Sequence, residues 1–139
     1  MAAISYQQIW DNHPYPDFPC DQSLYVNQCA IRMGVALRKT GISLSTFHGA
    51  KCDAHHQPRH ILRAQELATW IHKNPKIFGN RARHITRVTS ADFKDKTGLV
   101  FIQDGWGPTD HIDVWNGSQL KAGSLDYFAR GKELWFWEL

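Results

Sequence analysis

Apolar residues recur at helical spacing through the first half of this chain and in strand-like runs through its last third. That switch of period confines the fold to a small set of α+β arrangements. Cys29, Met33, Ala36 and Leu37 share one helical stripe within residues 28–39, and Gly41 follows as a stop signal. Ile61, Ala64, Leu67, Ala68 and Ile71 predict a second helix, ended by Asn74-Pro75. A short helix over residues 6–10 leads into an irregular approach marked by Pro14, Pro16 and Pro19, and residues 42–58 read as a polar loop. Residues 90–94 predict one capped helical turn.

From residue 98 onward the pattern is that of a sheet. Residues 98–103 form a short apolar run, a buried strand, and residues 111–115 alternate polar and apolar side chains. Asn116-Gly117 signals a two-residue hairpin turn, and residues 132–139, rich in Trp and Phe, predict a closing strand. The expectation is one α+β domain over residues 1–139, with N-terminal helices packed on a C-terminal antiparallel sheet. If the turn has two residues, Trp115 pairs with Ser118, and His111 faces Ala122 on the return strand.

Composition narrows the function. At 42% hydrophobic and 21% charged residues the chain is an ordinary globular one, which argues against disorder. A net charge of +3, with Lys and Arg scattered, is too weak to point to nucleic acid. No run approaches the roughly 20 apolar residues of a membrane helix, so membrane insertion is not expected. The first eight residues lack the basic and apolar regions of a secretory signal, so action outside the cytoplasm requires another export route. Of the three cysteines, Cys20 and Cys52 are the only possible disulfide if Cys29 must stay reduced; buried thiols at both positions fit the sequence equally well.

Cys29 carries the chemistry. A thiol at a helix N-terminus feels the positive end of the helix dipole, which favours the nucleophilic thiolate. His111, at the start of a later strand, is the candidate base, and the order of nucleophile on a helix and His on a strand is that of a papain-like hydrolase. Asp113, two residues on, shares a sheet face with His111 and is one candidate to orient its ring. Asp126 is the other, if the return strand bulges or ends early. The backbone N–H of Cys29 is a natural oxyanion donor, with Asn27 or Gln28 as a second. Gly105-Trp106-Gly107 predicts a flexible loop lining the substrate cleft, with Trp106 and Gly107 touching substrate. No metal or organic cofactor is required.

Three segments resemble the type VI secretion amidase effectors, family four: Asn27-Gln28-Cys29-Ala30-Ile31-Arg32-Met33, Gly98-Leu99-Val100-Phe101-Ile102, and Gly105-Trp106-Gly107 leading to His111-Ile112-Asp113-Val114-Trp115-Asn116-Gly117. The resemblance implies a papain-like, NlpC-type fold and a Cys-His-Asp hydrolase of peptidoglycan. It implies cleavage of the amide between D-glutamate and meso-diaminopimelate in the peptide stems. It further implies delivery by the type VI secretion machinery to a rival's periplasm, and a cognate immunity protein. By position Cys29 matches the nucleophile and His111 the base. The family's acid falls at Ala122, a departure that leaves the third member to Asp126 or Asp113.

Two other readings compete with this one. A cysteine peptidase or acyltransferase acting on another stem bond uses the same Cys29 and His111. A nucleic-acid- or zinc-binding module would use the arginines of residues 59–63 and 81–87. Cys52, His55, His56 and His60 have the ligand types of a zinc site, but Pro58 breaks the helical spacing between His56 and His60. A solvated histidine-rich loop at the cleft rim, able to bind carboxylates, is the simpler reading.

Overall fold

The computed structural model describes residues 4–20, 23, 25, 27–52, 59–85, 87–107 and 109–139. Helices α1 (Tyr6–Asn12), α2 (Cys29–Lys39), α3 (Ala64–His72) and α4 (Pro75–Phe78) precede strand β1 (Ala82–His84). Strands β2 (Gly98–Trp106), β3 (Thr109–Trp115) and β4 (Glu133–Glu138) follow, with short 3-10 turns at Ser90–Phe93 and Leu125–Ala129. The sheet order is β1-β4-β2-β3, with every pair antiparallel. Strand β3 is therefore an edge, and α2 packs against it.

Each element has a local cause. Ser5 accepts a hydrogen bond from the Gln7 N–H and so caps α1, which buries Ile9. Pro75 occupies the first turn of α4, where its missing N–H costs nothing, so the dipeptide that ends α3 also starts α4. Thr89 and Asp92 form a reciprocal capping box on the 3-10 turn that follows. Gly98 lies between Trp115 and Glu138, and a Cβ there would stand 1.8 Å from the Trp137 carbonyl oxygen, so glycine is required.

The sheet is covered on both faces. Leu99, Phe101, Ile112, Val114, Trp135 and Trp137 pack against α1, α2 and α3. Val100, Ile102, Trp115, Leu134 and Phe136 pack with Phe93, Leu120 and Phe128 on the other face. Fully burying side chains of this size contributes about 1.5–3 kcal/mol each. Trp115 and Trp137 lie in this interior, and the Trp115 indole N–H donates to the Phe93 carbonyl at 2.9 Å.

Four expectations change. The stripe in α2 is only part of its burial: residues from Cys29 through Leu37 are all buried, so the helix is enclosed on every side up to Leu37. The arginine within it, Arg32, stacks on Tyr15 and Phe18 and donates to the carbonyls of Asp17 and Pro16, which anchors the proline-rich approach. The segment Gly105-Trp106 is the end of β2, not a loop; a bulge lets Ile102 pair with His111 and Trp106 with Thr109. The second helix starts at Ala64, and β1, three residues without alternation, had no sequence signal.

The hairpin is the fourth. Trp115 pairs with Leu120, not Ser118, across a four-residue loop. Asn116 Oδ1 accepts from the N–H groups of Ser118 and Gln119 and holds that loop. Beyond the single bridge there is no return strand. The register moves by two residues, which brings Ala122 opposite Asp113 and not His111.

Candidate active site

Helix α2 and strand β3 bring Cys29 and His111 together. The His111 imidazole donates through Nε2 to Asp113 Oδ2 at 2.8 Å, and the Cys29 sulfur lies close enough to favour the charged ring. With Nε2 taken by Asp113, Nδ1 is the ring nitrogen left for Cys29. His111 is 8% exposed and Asp113 fully buried.

Asp113 is held on every side. Its Oδ1 accepts from the Val114 N–H at 2.8 Å, and the Ala122 N–H reaches both oxygens, at 3.0 and 3.3 Å. A buried carboxylate needs such donors, because each oxygen has left water behind. Burial opposes a charge on His111, but the hydrogen bonds to Asp113 and Cys29 outweigh it and raise the imidazole to about 10. At neutral pH the ring is an imidazolium held by Asp113 beside the Cys29 sulfur.

The rings around it fix its plane. Tyr127 meets the His111 ring edge-to-face at 5.1 Å, Trp106 packs at 5.9 Å, and these two touch each other at 4.7 Å. Arg130 stacks over Trp106. His13 is buried nearby, with Nδ1 accepting from the Tyr15 N–H at 3.2 Å, so its proton is on Nε2. Burial first, then the positive charges of Lys121, Arg32 and His111, lower His13 to about 4 against the pull of Asp113.

At the helix start, Asn27 Oδ1 accepts from the Cys29 N–H at 3.1 Å, and Asn27 Nδ2 donates to the Asp110 carbonyl at 3.3 Å. That same carbonyl is the other partner of the Cys29 sulfur, at 3.8 Å. Gln28 turns away: its amide donates to the carbonyls of Tyr25 at 2.6 Å and Cys20 at 3.5 Å. Beside Cys29 runs an open groove lined by Asn27, Arg63, Gln65, Glu66, Thr109 and Asp110.

Of the residues singled out in the sequence, Cys29, His111, Asp113, Asn27 and Trp106 come together. Gly107 takes the turn after Trp106 with φ +68°, a conformation suited to glycine. Asp126 does not join them; its carboxylate is exposed and faces Arg130 at 3.7 Å. Sequence reasoning missed Tyr127, His13, Arg63 and Asp110, whose positions depend on long-range packing. Four arginines of the nucleic-acid alternative have local partners: Arg81 stacks on Trp135, Arg83 pairs with Glu133, Arg63 faces Glu66, and Arg59 donates to the Cys52 carbonyl. His55 and His56 lie outside the described residues. Among the described residues, no helix is long and apolar enough to cross a membrane.

Comparison with known proteins gives this geometry a family. Residues 25–137 match the model of "Type VI secretion system (T6SS), amidase effector protein 4". No curated protein sequence matches the chain. The crystal structure of the effector Tae4 from Enterobacter cloacae superposes with TM-score 0.72 at 20% identity, covering 100% of this chain and 99% of that one. The effector–immunity complex Tae4-Tai4 from Enterobacter cloacae matches with TM-score 0.65 at 25% identity, covering 86% and 78%. The effector–immunity complex Tae4-Tai4 from Salmonella Typhimurium matches with TM-score 0.73 at 17% identity, covering 97% of each chain. The matched span includes Cys29, His111, Asp113 and nearly all of the sheet, and the chain belongs to the type VI secretion amidase effector protein 4 family.

Proposed function

We propose that this chain is one papain-like, NlpC-type domain, a cysteine amidase that hydrolyses the D-glutamyl–meso-diaminopimelate amide of peptidoglycan stems. The observation that carries the reading is the buried His111 imidazole, hydrogen-bonded to Asp113 and raised in basicity by Asp113 and the nearby Cys29 sulfur. In the first step the Cys29 thiolate attacks the amide carbonyl and the His111 imidazolium protonates the departing amine of diaminopimelate. In the second, His111 takes a proton from water, which attacks the acyl-enzyme and releases the D-glutamyl carboxylate together with the thiolate. Asp113 orients the ring throughout.

The developing oxyanion falls near the Cys29 N–H, which Asn27 Oδ1 occupies in the resting site. Substrate displaces that oxygen, and the Asn27 amide is the second donor available on the cleft side. Gln28, engaged with two carbonyls, serves as an anchor for the helix start. Arg63 and the open groove beside Cys29 accommodate the carboxylates of the stem.

Family membership supports delivery by type VI secretion into the periplasm of a rival cell. The structures of relatives bound to an immunity protein support a cognate immunity protein for this one. The test is digestion of purified sacculi followed by mass spectrometry of the soluble fragments. New D-glutamate and diaminopimelate termini that vanish with Cys29→Ala support the proposal. Cleavage at another stem bond, or activity retained in Cys29→Ala, overturns it.

A further inference from the structure

Away from the active site, Cys20, Cys52 and His60 each present one ligand atom, and the three atoms lie within 4.8 Å of one another. Both cysteines are buried beside Ile31 of α2, and His60 is partly buried. Cys20 ends the proline-rich approach. Cys52 and His60 face each other across a short antiparallel ladder, in which the Cys52 N–H donates to the His60 carbonyl at 2.8 Å and the Leu62 N–H to the Ala50 carbonyl at 3.1 Å. Lys51 and Ile61 form the bridge between those two bonds.

The polar contacts within the cluster are those of a site for a soft cation. The His60 N–H donates to Cys52 Sγ at 3.0 Å, a bond that stabilises negative charge on sulfur. Cys20 Sγ and His60 Nδ1 share a proton at 2.7 Å. We propose that Cys20, Cys52 and His60 form a structural zinc site, with a fourth position left to water or a further donor.

The distances fit that metal. With Zn–S near 2.3 Å and Zn–N near 2.0–2.1 Å, tetrahedral ligation places sulfur and nitrogen about 3.5 Å apart and two sulfurs about 3.8 Å apart. Both spacings fit within the 4.8 Å cluster. Zinc takes the place of the proton between Cys20 and His60 and opens that contact by about 0.8 Å. Binding releases one proton from each thiol, so affinity rises with pH.

The site also has a structural use. The Cys20 carbonyl accepts from the Gln28 amide, and Gln28 immediately precedes Cys29. A metal at this point ties the approach segment, the start of α2 and the ladder of residues 50–52 and 60–62 into one unit.

The experiment uses the full chain as a Cys29→Ala variant, so that the nucleophile is not a ligand, purified without chelator. Elemental analysis should give one zinc per chain, and cobalt exchange should produce the absorption of tetrahedral thiolate ligation. Cys20→Ser and Cys52→Ser should each lose the metal and melt at a lower temperature. Should these variants fail to fold, alkylation of the parent chain decides: Cys20 and Cys52 are protected with zinc and modified after chelator. Zinc retained in both serine variants, an absence of stoichiometric zinc, or a mass two hydrogens short from a Cys20–Cys52 disulfide overturns the proposal. None of these readouts depends on amidase activity, so the zinc site and the enzymatic reading fail separately.

Discussion

Replacing Asp113 by Asn removes one charge from a buried pair and turns one of its two accepting oxygens into a donor. Asp113 is fully buried and accepts from His111, Val114 and Ala122. From its ordinary value of 6.5, His111 rises to about 10, which at about 1.4 kcal/mol per pKa unit is of order 5 kcal/mol. Asp113 and Cys29 share that stabilisation, with Asp113 the larger contributor, so the Asn variant should lose about 3 kcal/mol at neutral pH. The sign sets the pH window. A folded-state value above the unfolded one gives stability that is complete below pH 6.5 and disappears as pH rises through about 10. Chemical denaturation of wild type and Asp113→Asn should therefore differ most near pH 6 and converge toward pH 10. Release of stem fragments from sacculi should fall by about 10²–10⁴-fold, the usual loss when a general acid–base is misdirected. A difference in stability independent of pH, or activity within about threefold of wild type, would refute the assignment of Asp113 as the orienting residue.

Four further outcomes follow from the same geometry. Asp126→Ala, at an exposed position, should change activity less than about twofold and stability within about 0.5 kcal/mol, both read in the assays above. His13, lowered to about 4, should make wild type lose about 3 kcal/mol as pH falls from 6.5 to 4, because the unfolded chain takes up a proton the folded one refuses; His13→Gln should flatten that limb. Trp106→Ala, which strips one wall from the imidazole, should lower kcat about tenfold and lower the melting temperature through the lost ring contacts with Tyr127 and Arg130. Asn27→Ala should cost about 1 kcal/mol in thermal unfolding, because the Cys29 N–H loses the side-chain oxygen it donates to.

Much of the architecture could be read from hydrophobic period alone. Helix α2 and strands β2, β3 and β4 fell where the pattern put them, because burial against a sheet imposes a period that short segments cannot disguise. Cys29 and His111 were legible for a related reason, each standing at the start of a periodic element. Asp113 was legible as a neighbour on the same strand face. The turn was not, because Asn116-Gly117 carries the signature of a two-residue loop while the Asn116 side chain organises a four-residue one. Burial all round α2 was hidden because Arg32 reads as solvent-facing until Tyr15 and Phe18 cover it. Tyr127 reaches His111 from an irregular segment, and Cys20 meets Cys52 and His60 from a proline-rich one. Neither stretch has a period from which to infer a neighbour.

The main-chain bond from Ala122 to Asp113 has an evolutionary consequence. A side-chain ligand can be lost by one base change, but a peptide N–H survives every substitution except proline. Position 122 is thus free to drift in side chain while the histidine keeps its aim. What cannot drift is the length of the loop between Trp115 and Leu120. One residue added or removed there would carry the amide of 122 away from the carboxylate and leave its charge buried without that donor. Selection on this site therefore acts on insertions and deletions more than on identities, and related chains should preserve the spacing from 113 to 122 more strictly than the residue at its end.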